Sequence, residues 1–419
     1  MDRAKTYFKT KTAYIFTFLA VLGPGIISAC ADNDAPGIGT YSIIGARYGY
    51  SLLWMLLLIT ISLGVTQEMG ARMGIVTQKG LGALIREHFD IRLTTFAIIA
   101  MLTANLGTTV AEFAGIASSL EIFGISKYIS VPIMAILISL LVIRWSYRRV
   151  EKIFLLSAVV YVCYVISGYL ANPNWGEAAK NIVMPSFQMN SGYILAFIAA
   201  AGTTITPWGQ FFIQSYVAEK GLSLDKIKYE KTEVYLGAFI TDFVAFFIIV
   251  ACAATLWVHK QPINGADDAA RALAPLAGRF ASTLFAFGLW NASMLGAAIL
   301  PLTSAYAACE AFGWEAGVDR SVGEAKKFYG IYAALIVFGA LFVLIPGLPL
   351  FSVLFLCSAL NGILLPVILI FVLILINDKT IMGKYTNTRI FNFVALITTI
   401  VLIVLTVLLL ITSIVQLFS

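Results

Sequence analysis

The chain has 419 residues, of which 60% are hydrophobic and 12% charged, with a formal net charge of +6. That balance excludes an ordinary soluble enzyme and places the chain among membrane proteins. The positive charge does not call for nucleic acid, because the basic residues lie between apolar runs rather than in one patch.

No convincing signal-peptide cleavage site is found near the N-terminus. The apolar run that starts near Ala13 continues too far and reads as the first of about eleven spans, each long enough to cross a bilayer. In chain order these are predicted at 14–46 (broken), 50–72, 93–119, 128–146, 153–170, 193–218 (broken), 233–258, 280–311, 328–347, 350–376 and 390–417. The outer stretch between spans seven and eight, 259–279, is mixed in character and suits a short surface helix. With the N-terminus inside, about 22 of the 28 Lys and Arg fall on the cytoplasmic side, the positive-inside pattern. Lys9 and Lys11, Arg148 and Arg149, and Lys226, Lys228 and Lys231 are examples. An odd number of spans then leaves the C-terminus outside. The expected location is the cell (inner) membrane, with the bilayer as surroundings and no obligate protein partner implied.

The two broken spans carry the functional signal. Asp32-Asn33-Asp34-Ala35-Pro36-Gly37 interrupts the first, and Gly202-Thr203-Thr204-Ile205-Thr206-Pro207-Trp208-Gly209 interrupts the sixth. Proline removes an amide hydrogen and glycine loosens the chain, so both helices unwind there. Unwound backbone at membrane depth is tolerated only where it is buried in protein or lines a cavity. Paired breaks in two halves of a chain point to the binding site of a secondary transporter. Spans one to five (about 14–170) and six to ten (about 193–376) therefore read as an inverted repeat, five plus five, with one extra helix at 390–417. The whole of 1–419 is one all-α transmembrane domain.

Asp34 is the foremost ion ligand, a carboxylate beside freed carbonyls, which is what hard divalent cations want. Asp32 and Asn33 either serve the ion and its water path or cap the following helix fragment. Thr203 and Thr206 supply hydroxyl oxygens at the second break. Glu112 either lines a path or bonds across helices, and Glu68 and Arg72 are spaced to pair along one helix. The five cysteines, at 30, 163, 252, 309 and 357, are scattered and suggest neither disulfides nor zinc. Both histidines, His88 and His259, fall in loops, so no intramembrane histidine is on hand to carry protons.

At these residues the chain resembles the Nramp (natural resistance-associated macrophage protein) family of divalent metal transporters. The resemblance runs through Gly23-Pro24-Gly25, Arg72-Met73-Gly74-Ile75-Val76-Thr77-Gln78-Lys79-Gly80-Leu81, Ala111-Glu112-Phe113-Ala114-Gly115 and Leu365-Pro366. It also includes Asp378-Lys379 and Met382-Gly383. It implies a LeuT-like inverted repeat with helices 1 and 6 broken, and a metal site that takes in Ala31, Asp34, Gly37, Thr203 and Thr206. The departures set the expected selectivity. The family's Asp-Pro-Gly-Asn reads Asp34-Ala35-Pro36-Gly37 here, and its Met-Pro-His reads Thr206-Pro207-Trp208. A proton-associated Asp falls at Thr109, and a metal-contacting Gln falls at Ser358. Loss of the thioether removes the soft ligand that favours Mn2+, Fe2+ and Cd2+, and Mg2+ keeps several waters in any site. The pattern is similar to the divergent Nramp-related magnesium transporters. It implies Mg2+ transport with Mn2+ also carried, no resident cofactor and no obligatory proton coupling, with Asp32, Asn33, Glu112, Trp208 and Ser358 as candidates for an ion or proton path. The alternatives are a proton-coupled Mn2+/Fe2+ transporter and an organic-solute carrier on the same fold. Asp34 would repel a substrate carboxylate, which weighs against the latter. A non-transporting metal sensor lacks a readout domain, and an enzyme lacks a nucleophile–base pair.

Overall fold

The computed structural model describes residues 33–144, 161–318 and 320–418, and every long element in them is a helix. α1 (Ala35–Tyr48) starts at the predicted first break, whose N-terminal side lies outside the described residues. After it come α2 (Leu53–Thr77), α3 (Leu81–His88), α4 (Ile91–Glu121) and α5 (Lys127–Arg144). α6 (Val162–Leu170) is the described part of span five. A surface helix, α7 (Trp175–Val183), leads to α8 (Ser191–Thr204) and α9 (Pro207–Glu219), the two halves of the second broken span. α10 (Ile227–Cys252), α11 (Ala281–Phe312), α12 (Lys326–Val343), α13 (Leu350–Asn377) and α14 (Arg389–Phe418) complete the bundle.

Among the described residues seven helices are long and apolar enough to cross a membrane: α2, α4, α10, α11, α12, α13 and α14. The spans read from the sequence match these to within a few residues at most ends. α2 runs five residues beyond its predicted end at 72, because Met73-Gly74-Ile75 still packs inward before Gln78 turns into the left-handed region (φ 53°). α10 starts six residues early, at Ile227, because Glu230 and Glu233 are buried there instead of standing in a solvated loop. The stretch between α10 and α11 is a set of short helical turns, Ala266–Ala270, Arg271–Leu273, Ala274–Ala277 and Gly278–Phe280, in place of one surface helix. Two short helices, α3 and α7, escaped the span pattern because they are amphipathic and too short to cross.

α4 stands at the centre, packed against α13, α11 and α12. α8 lies against α13, and α9 and α10 lie against α2. Polar caps mark the entries into the bundle. Asp90 accepts the amides of Arg92 and Leu93 (2.8 and 2.9 Å) at the start of α4, and Asn190 accepts that of Tyr193 (2.8 Å) at the start of α8. α14 touches α13, α8 and α2 along one side only. Its Phe393, Leu396 and Ile400 are exposed, as are Ile99 and Ile136 of α4 and α5 and Leu341 of α12. Such a continuous apolar outside is a liability in water and is the expected surface in hydrocarbon. The predicted Glu68–Arg72 pair is present at 3.0 Å. Arg72 also donates to the carbonyls of Tyr385 (2.8 Å) and Thr386 (3.1 Å), tying α2 to the segment that leads into α14.

Candidate functional site

The first break is closed by its own side chain. Asp34 has extended backbone (φ −71°, ψ −176°), and its Oδ1 accepts the amide of Gly37 at 2.8 Å. That amide is therefore not given to the carbonyl of Asn33, which instead accepts the hydroxyl of Tyr161 at 2.8 Å. Tyr161 stands at the entrance of α6, so span five holds the unwound strand in place. Asp34 is buried, 2% exposed as a residue. Ala31 and Asp32 lie outside the described residues.

The second break is built the same way. α8 ends at Thr204, and Thr206 begins α9 with extended backbone (φ −78°, ψ 145°). Thr206 Oγ1 accepts the amide of Gly209 at 3.1 Å. Pro207 has no N–H to return to the carbonyl of Thr203, so that carbonyl loses its intrahelical donor. Thr203 Oγ1 is buried without a hydrogen-bond partner. Thr206 is thus a cap, with its hydroxyl already engaged, whereas Thr203 is the hydroxyl left open.

Glu112 of α4 is brought to the first break. Its carboxyl lies beside that of Asp34 and beside the amide of Ala35, at the positive end of α1. It is fully buried, and neither oxygen makes a closed hydrogen bond. Gly296 of α11 makes room for it, since a Cβ there would occupy the space of the carboxylate. Of the two sequence readings of Glu112, the structure therefore shows a carboxylate facing Asp34 across the break.

The remaining candidates divide. Ser358 of α13 accepts the hydroxyl of Thr40 at 2.8 Å and donates to the carbonyl of Leu354 at 3.1 Å, so it joins α13 to α1. Gly37 contributes its amide to the Asp34 cap and has no side chain to offer. Trp208 is buried in an apolar cluster with Phe212, Leu295, Ile299 and Leu300, its indole N–H without a partner. Thr109 donates to the carbonyl of Asn105 at 2.7 Å, an ordinary intrahelical bond. The four described cysteines are free and separate, and Cys30 lies outside the described residues. Among the described residues no cluster of three His, Cys, Asp or Glu side chains could hold a metal.

Sequence reasoning passed over Tyr41 and Gln210. The Tyr41 hydroxyl bonds that of Thr204 and reaches the carbonyl of Ala200 (3.4 Å), so it spans the two breaks. The signal was present in Thr40-Tyr41-Ser42, a polar triplet two turns beyond Asp34 in an apolar helix. Gln210, one turn into α9, is buried with both amide atoms unpartnered.

The all-helical bundle, with α8 and α9 parted at Ile205–Thr206 and α1 opening at Asp34 beside them, has a fold of the LeuT-like class of membrane proteins. The chain belongs to the Nramp family, natural resistance-associated macrophage protein-like, whose pattern it matches over residues 25–412. It is 24% identical over 423 residues to a divalent metal cation transporter MntH of Burkholderia ambifaria, with 96% of this chain and 90% of that protein covered. It is 28% identical over 286 residues to a protein of the same name from Acidiphilium cryptum. That match spans 65% of this chain and 65% of the relative, just under two thirds of the relative's length. Its fold is that of the Eremococcus coleocola manganese transporter solved with an aromatic bis-isothiourea compound. The TM-score is 0.73 and the identity 20%, with 94% of this chain and 86% of that one covered.

Proposed function

We propose that the protein carries divalent metal ions, Mg2+ foremost and Mn2+ as well, across the cell membrane by alternating access, without obligatory proton coupling. The observation that supports this reading best is the facing pair of buried carboxylates, Asp34 and Glu112, at the end of a half-helix. Two carboxylates in a low-dielectric interior are unfavourable by themselves and are stabilised by a cation between them. Asp34 keeps Oδ2 free of its cap. Thr203 offers an open hydroxyl and a carbonyl released by Pro207. All of these are hard oxygen donors. The position that would supply a thioether in the family is Thr206, whose oxygen is engaged in capping. Such a set suits Mg2+, which retains part of its water shell, better than soft metals. Alternating access follows from the two breaks, where a few backbone torsions at Asn33–Asp34 and Ile205–Thr206 let the half-helices tilt. In this reading the end of the bundle carrying Lys79, Arg86 and Lys220 faces the cytoplasm, and the C-terminus lies outside.

A second reading, proton-coupled transport of Mn2+, draws on Glu112, which remains as a titratable group next to the ion ligand. The Eremococcus relative is a manganese transporter, in keeping with Mn2+ as the cargo in this reading. Sealed liposomes holding a metal reporter and a pH dye separate the two. Uptake of Mn2+ that Mg2+ suppresses at similar concentrations, with no matching acidification, supports the first. Uptake indifferent to Mg2+ and accompanied by acidification supports the second.

A further inference from the structure

We propose that Glu310 is a positioning residue for transport, a latch that holds the α9 half-helix shut at the basic end of the bundle. α9 is free of α8 at the break, so its far end decides whether it can tilt. At that end Ser215 of α9 donates its hydroxyl to Glu310 Oε1 of α11 at 2.9 Å. Gln214, the neighbouring residue of α9, donates to the carbonyl of Lys79 at 3.0 Å. The 79–82 segment in turn sits directly on the Glu310 carboxylate: a Cβ at Gly80 would fall among its oxygens, and one at Gly82 would meet its Cβ and the carbonyl of Ala307. One carboxylate therefore joins three separate pieces of chain: the last turn of α11, the C-terminal half of α9, and the link between α2 and α3.

The surroundings fit a part that releases. Above the latch, toward the break, Phe212, Leu295 and Ile299 form an apolar plug. Beside it is a small pocket between α9 and α11, lined by Ser215, Glu219, Thr303 and Tyr306. Tilting α9 about the Ile205–Thr206 hinge breaks the Ser215–Glu310 and Gln214–Lys79 bonds first and then parts the plug. Glu310 touches neither Asp34 nor the breaks, so it acts on α9 and not on the ion. Its sequence signal was missed because Glu310 lies near a helix end, where a charged residue ordinarily faces solvent.

The test places one cysteine at Thr303, on the pocket wall, in a background with the five native cysteines replaced. Labelling by a membrane-impermeant thiol reagent is followed in the purified protein. Ser215→Ala should speed labelling by about ten-fold, the scale of losing one hydrogen bond to a charged group, and Gly80→Ala, whose Cβ displaces the carboxylate from the other side, should speed it as well. Ser215→Thr, which keeps the hydroxyl, should label as the parent does. In liposomes the opened variants should change the maximal rate of Mn2+ uptake and leave its half-saturating concentration unchanged. That kinetic arm rests on the transport reading above. The labelling arm needs no transport, so a protein that moves no Mn2+ would still report the latch. Parent-like labelling in both Ser215→Ala and Gly80→Ala, with intact thermal stability, would overturn the proposal.

Discussion

Asp34 and Thr206 occupy the same place in the two half-helices: each is the N-cap, and each accepts the amide of a glycine three residues on, Gly37 and Gly209. The two breaks share almost no sequence, and the prolines sit at different offsets, Pro36 two residues after its cap and Pro207 one. Equivalence between the halves is therefore carried by backbone geometry. One of the caps is charged and the other is not, which assigns them different further duties.

For Asp34 the duties can be separated by substitution. Asparagine caps a helix about as well as aspartate, whereas alanine loses about 0.5–2 kcal/mol. Asp34→Asn should keep the thermal stability of the parent and lose metal uptake, because the cap survives and the charge does not. Asp34→Ala should lose uptake and melt earlier. Near-normal uptake in Asp34→Asn would remove Asp34 from the ion site.

Thr206 is expected to behave in the opposite manner. Its oxygen is committed to Gly209, so Thr206→Ser should leave both stability and uptake close to the parent. Thr206→Ala and Thr206→Met should each cost about 1 kcal/mol of stability, since neither side chain can cap. Thermal melting in detergent compares the four proteins. A Thr206→Ala protein that melts with the parent yet fails to transport would return Thr206 to the ligand set.

The bundle was legible because hydrocarbon imposes a simple rule: about 20 apolar residues per span, and broken backbone only at a protected site. The second break, read from Gly202 and Pro207, lies where α8 gives way to α9, and α1 begins at the Asp34-Ala35-Pro36 read as the first, whose N-terminal side lies outside the described residues. Which oxygens stay open at the breaks was not legible, since it depends on who receives each amide. Thr203 and Thr206 look alike in sequence, yet one is a cap and the other is unpartnered. Ser358 reads as a ligand position by resemblance, but the fold gives it Thr40 as a partner. Glu112 and Asp34 are 78 positions apart, and nothing local announces that they face each other. The latch at Glu310 joins segments from three parts of the chain and has no local pattern at all.

Selectivity should follow from the hard donor set. In liposomes, Mg2+ should compete with Mn2+ at concentrations of the same general scale, and Cd2+ should gain no marked advantage. Thr206→Met alone should not restore a preference for soft metals, because a side chain leaving a cap position does not have to turn into the site. Isothermal titration and competitive uptake both report this. Wild-type protein that carries Cd2+ readily and ignores Mg2+ would show that the donor set has been misassigned.

Metal movement should not require proton movement. A proton path inside a membrane needs a series of titratable groups, typically Asp, Glu or His. Two positions where the family resemblance places such groups hold Thr109, engaged with the carbonyl of Asn105, and Trp208, packed among Phe212 and Leu295. Glu112 is present, but it lies beside Asp34, the proposed ion ligand, and a cation held between them would keep both carboxylates ionised. The membrane potential is a sufficient drive, since a divalent ion gains about 4.6 kcal/mol from 100 mV at ~2.3 kcal/mol per charge. The measurement is internal pH during Mn2+ or Mg2+ uptake into liposomes whose potential is clamped with valinomycin and potassium. Uptake should follow the imposed potential with no acidification above that of protein-free vesicles. Glu112→Gln should weaken uptake by removing one of two carboxylates, without altering the pH trace. Acidification that tracks metal entry in the parent and vanishes in Glu112→Gln would mean instead that Glu112 carries the coupled proton.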